Sequence, residues 1–478
     1  MSAPAGRPDF AGRRITVAGL GVSGVSAARA LAGLGAEVTV VDGGDGERQR
    51  ATAAELAAAG VETRLGDGAT LPKGTELVVT SPGWRPESPL FAAAAAAGVE
   101  VVGDVEIAWR LRGERPAPWL AVTGTNGKTT TVRMLAAILR AAGLRAAAVG
   151  NIGDPIIDAV LADPPYDVLA VELSSYQLHW APSVRPHSGV VLNLAPDHLD
   201  WHGSMAAYAA DKGRVYQGNE VACVYNVADP ATEALVTEAD VVEGCRAIGF
   251  TLGTPGLSQL GVVDGVLADR AFVPDRRERA QELAEVGDVD PPAPHNIANA
   301  LAAAALARAY GVEPRAVRDG LRAFRPDPHR VQRVAEVDGV LYVDDSKATN
   351  PHATAASLAA YEPIVWIAGG LAKGATFDEL VAGAAGRLRG VVLIGADRGL
   401  IAEALARHAP DVPVVDLDRT DTGAMAAAVH EATRLARPGD TVLMAPACAS
   451  MDMFTNYNER GDVFAAAVQA LAAGQGEQ

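Results

Sequence analysis

Short runs of β-branched and aliphatic residues alternate with longer stretches rich in alanine and leucine along almost the whole chain. Near the N-terminus the apolar runs 13–20, 37–42 and 76–81 predict strands, and the alanine-rich segments between them, closed by glycines, predict helices. Strands that alternate with helices in this way are typical of α/β layers with parallel sheets. The pattern therefore predicts an α/β fold.

The alternation is interrupted twice, which predicts three domains. A proline- and charge-containing stretch at 112–118 precedes new strands, and a second break lies near 324–330. Between them, residues 251–294 predict only weakly structured strands and loops, followed by a helix over 295–311. We expect a Rossmann-like domain, a central P-loop domain with a mostly parallel sheet and a Rossmann-like α/β domain, over 1–116, 117–325 and 326–478.

Composition and charge exclude several classes of protein. The 478 residues include 58 acidic and 41 basic side chains, a formal charge of −17, which argues against a broad surface for nucleic acid or anionic membrane. We expect no signal peptide or membrane-spanning segment, and a cytoplasmic, monomeric protein. Three widely spaced cysteines, Cys223, Cys245 and Cys448, predict neither a disulfide framework nor a four-ligand zinc site.

Lysine is scarce, because only five of the basic residues are lysines. In a chain that otherwise uses arginine, a remaining lysine suggests a site that needs a compact ammonium or a deprotonatable amine. Lys73 lies outside every motif and is expected to be an ordinary surface residue. The other four lie in or beside the motifs described below: Lys128, Lys212, Lys347 and Lys373.

The motif TGTNGKTT (123–130) stands between a predicted strand and a predicted helix. In such a loop, backbone amides bind phosphate oxygens, Lys128 supplies a positive charge and Thr129 can ligate Mg²⁺. Val122 replaces the first glycine of the usual phosphate-loop pattern. A plain glycine turn with a surface lysine does not explain the Lys-Thr pair after the glycine, so we expect ATP or another nucleoside triphosphate here.

The motif GLGVSG (19–24) also joins a predicted strand to a helix, and Asp42 ends the next strand. Glycines let a diphosphate approach the helix N-terminus, and an acid at this point can bind a ribose. The SPG motif at 81–83 can add backbone donors to the same crevice. Because any tight strand-to-helix turn favours glycine, these residues alone do not separate NAD from a nucleotide sugar.

Candidate metal ligands follow two further strands of the central domain. Glu172 ends one strand, where it can reach a metal bound to Thr129, although helix capping is a common alternative. The segment DHLDWH (197–202) offers Asp197, His198, Asp200 and His202, which either ligate a metal or only hydrogen-bond to each other. Lys212 lies on a predicted helix, where a lysine is ordinarily solvated.

Three predicted strands of the C-terminal domain end in polar motifs. Because open α/β sheets bind ligands outside the carboxyl ends of their strands, these motifs predict one cleft. Cys448 has no histidine or CxxC partner nearby and is expected to serve packing. The motifs are VDDSKATN (343–350), AGGLAKGATF (368–377) and APACASMDMFTNYNERG (445–461).

Together these motifs resemble those of the Mur ligases of peptidoglycan synthesis, nearly from end to end of the chain. The loop TGTNGKT alone is shared with a wider superfamily that includes folylpolyglutamate synthetase. The combination of GLGVSG, SPG, DDSKATN and the last motif is far more specific and is similar to the branch that adds D-glutamate.

The resemblance implies ATP-dependent addition of D-glutamate to UDP-N-acetylmuramoyl-L-alanine in the cytoplasm. A substrate carboxylate attacks the γ-phosphate, and the amine of D-glutamate then attacks the acyl phosphate to form an amide. Since this chemistry needs no enzyme nucleophile, the site works by positioning and by neutralising phosphate charge. GLGVSG is then a UDP site without a redox cofactor.

The resemblance also implies roles for individual residues. The UDP substrate would contact Gly21, Val22, Ser23, Asp42, Ser81, Gly83, Asn151 and His198. ATP would contact Gly124, Thr125, Asn126, Gly127, Lys128, Thr129, Thr130, Asn296, Asn299, Arg330 and Asp345. D-Glutamate would contact Lys347, Thr349, Lys373, Ser450 and Tyr457. Two Mg²⁺ ions would be held by Thr129, Glu172, His198 and Lys212, and the catalytic set would be Lys128, Glu172, His198 and Lys212.

In this scheme Lys212 carries a carbamate, which requires a neutral primary amine to attack CO₂ and which arginine cannot form. The product is an anionic oxygen ligand suited to a hard cation. Two positions depart from the family pattern: Tyr457 replaces an expected phenylalanine, and Gly43 lacks the hydroxyl expected near the uracil.

Three rival interpretations remain open at this stage. An NAD-dependent dehydrogenase explains GLGVSG and Asp42 but leaves TGTNGKTT and Lys212 without a use. A sister ligase acting on another muramoyl peptide or on folate shares the ATP machinery. A non-catalytic nucleotide sensor does not need Glu172, His198 and Lys212 together.

Overall fold

The computed structural model describes residues 9–419, 421 and 423–475, and the chain divides into two compact units. One unit contains residues up to 289 together with 297–324, and the other contains 290–296 together with residues from 325 onward. The first unit holds two sheets and the second unit holds a third. All three sheets are mainly parallel and carry helices, which confirms the predicted α/β class.

The N-terminal sheet has five parallel strands, β1 (Arg14–Ala18), β2 (Glu37–Asp42), β3 (Glu62–Leu65), β4 (Leu77–Thr80) and β5 (Glu100–Gly103). Its helices are α1 (Val22–Gly33), α2 (Glu47–Ala57), α3 (Pro89–Ala96) and α4 (Asp104–Arg110). The strand order is β3-β2-β1-β4-β5. This order reverses between β1 and β4, and the loops after these two strands therefore lie at the point where such sheets bind ligands.

The central sheet has nine strands, β6 (Trp119–Thr123), β7 (Ala146–Gly150), β8 (Val168–Glu172), β9 (Ser188–Val191), β10 (Ala222–Asn226), β11 (Arg246–Phe250), β12 (Gln259–Val263), β13 (Val266–Asp269) and β14 (Gln281–Glu285). The order is β14-β13-β12-β11-β10-β9-β6-β8-β7, and only the β12-β13 and β13-β14 pairs are antiparallel. Residues 251–294, expected to be only weakly structured, therefore extend the sheet by three strands. Each of these strands is only four or five residues long and has two or three adjacent buried residues, so none gives a long apolar run.

The helices that follow the central strands are α5 (Lys128–Ala141), α6 (Ile156–Val160), α7 (Ser175–His179), α8 (Leu199–His202), α9 (Met205–Gly213), α10 (Pro230–Thr237), α11 (Pro294–Ala309) and α12 (Pro314–Ala323). Short 3₁₀ turns occur at 214–216 and 286–288. Residues 300–307 of α11 are all fully buried in the core of the first unit, which explains why this helix is apolar on every side.

The second unit is built on a six-stranded sheet, β15 (Gln332–Val337), β16 (Val340–Asp344), β17 (Ile364–Gly369), β18 (Leu388–Ile394), β19 (Val414–Asp416) and β20 (Thr441–Met444). Its helices are α13 (Pro351–Leu358), α14 (Asp378–Ala384), α15 (Arg398–His408), α16 (Ala424–Leu435) and α17 (Tyr457–Gln475), with a 3₁₀ turn at 385–387. The order is β15-β16-β20-β17-β18-β19, with only β15 antiparallel to its neighbour.

The apolar runs 339–345, 363–369, 390–395 and 440–446 predict four strands of the second unit, and β16, β17, β18 and β20 confirm them. The edge strands β15 and β19 were not predicted. Most side chains of these two strands are exposed or only half-buried, so neither strand has the apolar run that reveals a central strand. Among the residues described, no helix is long and apolar enough to cross a bilayer.

The close packing of α5 against α12 gives a test of the first unit. A Cβ added at Gly320 would lie 2.4 Å from the Ile138 Cα. Because backbone atoms cannot move aside as a flexible side chain can, Gly320→Ala should lower the free energy of unfolding by about 1–3 kcal/mol. Denaturant unfolding measures this change.

Gly33→Ala is the matched control, since nothing lies within 4 Å of a Cβ at this helical position. It should leave the stability unchanged or raise it by up to about 1 kcal/mol, the difference in helix propensity. A Gly320→Ala protein as stable as the parent would contradict the packing described.

Candidate functional site

The loop between β6 and α5 is held by side chains from neighbouring elements. The amide of Thr125 donates to the Asn193 carbonyl at 3.0 Å, and the amide of Asn126 donates to Asn193 Oδ1 at 2.9 Å. The hydroxyls of Thr125 and Tyr208 lie 3.0 Å apart. Gly127 has a φ of 85°, a left-handed conformation that glycine adopts readily. The loop amides are thereby placed at the N-terminus of a 14-residue helix, which stabilises an anion.

Two lysines converge on one carbonyl of this loop. Lys128 Nζ donates to the Gly124 oxygen at 2.9 Å, and Lys212 Nζ donates to the same oxygen at 2.8 Å. Lys212 is only 2% exposed, and its Nζ lies 4.6 Å from the centre of the Tyr208 ring. Burial, reinforced by the charge of Lys128, lowers the pKa of Lys212 well below its ordinary value. A larger fraction of this amine is therefore neutral than in an exposed lysine.

Glu172 ends β8, which pairs with β6 in the sheet. Its Oε1 accepts a hydrogen bond from Asn151 Nδ2 at 2.9 Å, while its Oε2 is buried and has no hydrogen-bond partner. A buried carboxylate oxygen without a partner costs free energy unless a cation satisfies it. This orphaned oxygen therefore fits the hard oxygen donor that Mg²⁺ prefers.

Two side chains of the DHLDWH segment have structural partners. Asp200 forms a 2.7 Å ion pair with Arg85 of the N-terminal sheet. The His202 ring lies 3.1 Å from Asp211 Oδ2 and 2.9 Å from the Ser175 hydroxyl. These contacts support the alternative to metal ligation for Asp200 and His202, in which each side chain only pairs with a polar neighbour.

His198 remains the candidate ligand of this segment. It precedes α8 with a φ of 54°, and its ring centre lies 4.9 Å from that of Tyr176. Burial lowers the pKa of His198, which favours the neutral imidazole that a metal requires. Within the described ranges, no three His, Cys, Asp or Glu side chains are grouped closely enough to hold a metal. A metal site here needs further donors, such as the hydroxyl of Thr129.

The crevice above the N-terminal sheet combines ordered loops with one orphaned polar atom. Asp42 accepts hydrogen bonds at 2.8 Å from the amides of Leu20 and Gly44, so its carboxylate organises the loops after β1 and β2. The hydroxyl of Ser81 is buried without a hydrogen-bond partner. A Cβ at Gly21 would meet nothing within 4 Å, which leaves space beside the N-terminus of α1. Val22 and Ser23 are the first two residues of α1, and Gly83 lies with Ser81 in the loop after β4.

The two asparagines of α11 are buried in different surroundings. Asn299, in the first unit, has its Oδ1 2.4 Å from the Cβ position of Gly127, so it lies against the loop between β6 and α5. Asn296 belongs to the second unit, where its Nδ2 donates to the Pro291 carbonyl at 3.3 Å. The first turn of α5 carries the remaining predicted contacts, Thr129 and Thr130.

In the second unit the three C-terminal motifs lie together. The amide of Ala447 donates to the Ala348 carbonyl at 3.0 Å, and Leu371 and Ala449 exchange two backbone hydrogen bonds at 2.9 Å. Lys347 Nζ lies 4.0 Å from the centre of the Tyr457 ring. The adjoining loops carry the other predicted contacts for D-glutamate, Thr349, Lys373 and Ser450.

Asp345 directly follows β16 and is buried, with only 6% of the residue exposed. It accepts hydrogen bonds from the Val331 amide at 3.2 Å and from the Ser357 hydroxyl. Burial raises the pKa of Asp345 to about 6. The hydrogen bonds and the charge of Arg330 favour the carboxylate and have the opposite, smaller effect on this pKa. Arg330 Nε itself lies 3.8 Å from Asp327.

Several residues that organise the site were not predicted. Tyr208 lies one helical turn before Lys212, a spacing that offers a signal in the sequence. Asn193 reaches the loop only because β9 and β6 are neighbours, and no local pattern gives that order. Arg460, 1% exposed, donates to the carbonyls of Ser346 and Cys448 and thereby ties two motifs of the second unit.

Comparison with known families gives three matches in order along the chain. Residues 13–103 match the MurD-like N-terminal domain of Mur ligases, residues 122–307 match the Mur ligase middle domain, and residues 329–448 match the Mur ligase glutamate ligase domain. A Streptomyces coelicolor protein named UDP-N-acetylmuramoylalanine–D-glutamate ligase is 77% identical, covering 97% of this chain and 99% of its own. A Thermobifida fusca protein of the same name is 62% identical, covering 97% and 100%.

Solved structures with little sequence similarity have the same fold. A pseudomurein peptide ligase type C from Methanothermus fervidus is 17% identical, with a TM-score of 0.57 over 96% of this chain and 100% of its own. UDP-N-acetylmuramate-alanine ligase from Thermotoga maritima is also 17% identical, with a TM-score of 0.57 over 96% and 99%.

The raised pKa of Asp345 predicts a pH-dependent stability. Because the folded state binds this proton more tightly than the unfolded chain, whose carboxyl has a pKa near 4, the stabilisation is present at low pH and is lost as the pH rises through about 6. Relative to Asp345→Asn, the parent should lose about 1.4 kcal/mol of unfolding free energy between pH 5 and pH 8. Thermal unfolding of the parent and of Asp345→Asn at several pH values measures this difference. A stability difference between the two proteins that does not change with pH would contradict it.

Proposed function

This chain belongs to the Mur ligase family, and from that premise we propose that it adds D-glutamate to UDP-N-acetylmuramoyl-L-alanine with ATP in peptidoglycan synthesis. The observation that carries this proposal is the near-full-length similarity to relatives named for that reaction. The solved structures support only the fold, because one fold serves several ligases. The assignment of D-glutamate as the amino-acid substrate therefore rests on the names of the relatives and on the polar strand ends of the second unit.

The first step is phosphoryl transfer to the substrate carboxylate. A carboxylate oxygen attacks the γ-phosphorus, the bond to the β,γ-bridging oxygen breaks, and ADP leaves. The loop amides and Lys128 hold the phosphates of ATP, where their positive charge offsets the charge that develops on the leaving group. No side chain of the enzyme forms a covalent bond to the substrate or to the transferred phosphoryl group.

The second step forms the amide. The neutral amine of D-glutamate attacks the acyl carbon, a tetrahedral intermediate forms, and the carbon–oxygen bond to phosphate breaks as the nitrogen loses a proton. Lys347, Lys373, Thr349, Ser450 and Tyr457 would bind D-glutamate, since they share the strand ends of the second unit. The ammonium groups of the lysines suit the two carboxylates of this amino acid.

The UDP end of the substrate would lie in the crevice of the N-terminal sheet. The amides at the N-terminus of α1 suit the diphosphate, and the orphaned Ser81 hydroxyl supplies a hydrogen bond that the protein itself leaves unused. Since Asp42 already organises both loops, its role includes holding the crevice open as well as any contact with the ribose.

Glu172, Thr129, His198 and a carbamylated Lys212 would hold two Mg²⁺ ions. When bound, the ions neutralise phosphate charge and align the reacting oxygens. The orphaned Glu172 Oε2 and the lowered pKa of Lys212 support this assignment. The neutral Nζ attacks CO₂, a carbon–nitrogen bond forms, and a proton is released to give an anionic carbamate.

We also propose domain boundaries near residues 116 and 325. We further propose that the enzyme is a monomer and that it works in the cytoplasm, because the proposed reaction consumes ATP and a nucleotide-linked substrate. The matched family domains, which end at 103 and 307 and begin at 122 and 329, support these boundaries.

Release of phosphate from ATP tests the reaction. With Mg²⁺ and UDP-N-acetylmuramoyl-L-alanine, release should depend on D-glutamate and be at least about tenfold faster than with L-glutamate, L-lysine or no amino acid. Release with another amino acid would indicate a sister ligase. Nucleotide binding without any turnover would indicate a sensor, and tight NAD binding without ATP binding would indicate a dehydrogenase.

Lys212→Ala tests the carbamate separately. The variant should lose about 100-fold or more of kcat, and short carboxylic acids should restore part of it by supplying the missing anionic oxygen. Lys212→Arg should be equally inactive without rescue. Lys73→Ala, which changes an exposed lysine outside the site, is the control and should keep full activity. Full activity of Lys212→Ala would reject the carbamate.

A further inference from the structure

Cys223 and Cys245 are far apart in the sequence but lie side by side in the central sheet, with their Sγ atoms 3.9 Å apart. Cys223 is in β10, and Cys245 directly precedes β11, the neighbouring parallel strand. The Arg246 amide donates to the Val221 carbonyl at 3.0 Å, which fixes the start of β11 beside β10. Both cysteines are free thiols. The wide spacing of the cysteines in the sequence therefore gave no indication of this close pair of thiols.

The two thiols differ in access and in acidity. Cys223 is 2% exposed, and Asn219 Nδ2 donates to its sulfur at 3.6 Å. Cys245 is half-buried and follows an exposed turn at 242–244. The hydrogen bond between the two thiols lowers the pKa of Cys245 and raises that of Cys223. Since the thiolate is the nucleophile, Cys245 is the sulfur suited to attack and Cys223 is suited to resolve the adduct.

We propose that Cys223 and Cys245 form a reversible thiol–disulfide exchange site for small disulfides. The Cys245 thiolate attacks one sulfur of the small disulfide, whose sulfur–sulfur bond breaks, and one small thiolate leaves. The Cys223 sulfur, on losing its proton, attacks Cys245 Sγ, and the second small thiolate leaves and takes up that proton. Two protein thiols are oxidised and one small disulfide is reduced to two thiols.

The geometry requires only a local movement. A disulfide has a sulfur–sulfur distance of about 2.05 Å, so the two sulfurs must approach by roughly 2 Å. Cys245 can move most easily, because it lies outside β11 and is half-buried. In a reducing cytoplasm such a pair is expected to be transient and redox-sensing, unlike a permanent structural disulfide.

Cys448 provides an internal control in the same chain. It is fully buried in the apolar core of the second unit, as the sequence predicted, and burial raises the pKa of its thiol to about 12. It should therefore remain reduced while the pair reacts.

The test treats the reduced, native full chain with glutathione disulfide, followed by acid quenching, unfolding, alkylation and mass spectrometry. The parent should fall from three alkylated cysteines to one, be two hydrogen atoms lighter before alkylation and yield a peptide linked through Cys223 and Cys245. Dithiothreitol should reverse the change. Three alkylated cysteines after treatment, or a bridge that includes Cys448, would overturn the proposal.

Two serine variants separate the roles of the thiols. Cys223→Ser should retain a glutathione adduct on Cys245, because the resolving thiol is missing, whereas Cys245→Ser should form neither an adduct nor a bridge. Both untreated variants should release phosphate at the parent rate, which verifies that they fold. An adduct on Cys223 in Cys245→Ser, or a lasting adduct in the parent, would contradict the assigned order of attack.

Discussion

The shared use of the Gly124 carbonyl by two lysines is the interaction around which the first unit is organised. A buried amine such as that of Lys212 needs hydrogen bonds that replace its lost hydration. Its contact with Gly124 therefore ties α9 to the loop between β6 and α5, while Asn193 holds the same loop from β9. The loop amides and the ammonium of Lys128 are the groups of this arrangement that suit the negative charge of a nucleoside triphosphate.

In the same unit, polar contacts connect the segment 197–202 to the loop after β4 of the N-terminal sheet. Arg85 pairs with Asp200, and the Trp201 indole nitrogen donates to the Trp84 carbonyl at 3.2 Å. Both contacts lie between the segment that carries His198 and the loop that follows the SPG motif. Exposed ion pairs contribute little to stability, so the value of these contacts lies in orientation. A substrate that extends from a UDP group to a reacting carboxylate needs its two ends held at a constant separation.

Family membership and local geometry answer different questions about this chain. Ligases that share its fold at 17% identity have names that describe different substrates, so the fold does not specify the amino acid. The orphaned oxygen of Glu172 and the buried amine of Lys212 describe a general apparatus for activating a carboxylate. The second unit carries the polar strand ends, with Lys347 beside Tyr457, on which a choice of amino acid would depend.

The sequence by itself determined the α/β class, the glycine loops and the four inner strands of the second unit, because turn chemistry and hydrophobic periodicity are local properties. Only the tertiary structure decided which strand ends are neighbours. It placed Asn193 on the loop, assigned Asp200 and His202 to structural partners and brought Cys223 beside Cys245. It also revealed β15 and β19, whose exposed side chains carry no apolar signal. These features depend on strand order and on packing between distant residues, which no local pattern encodes.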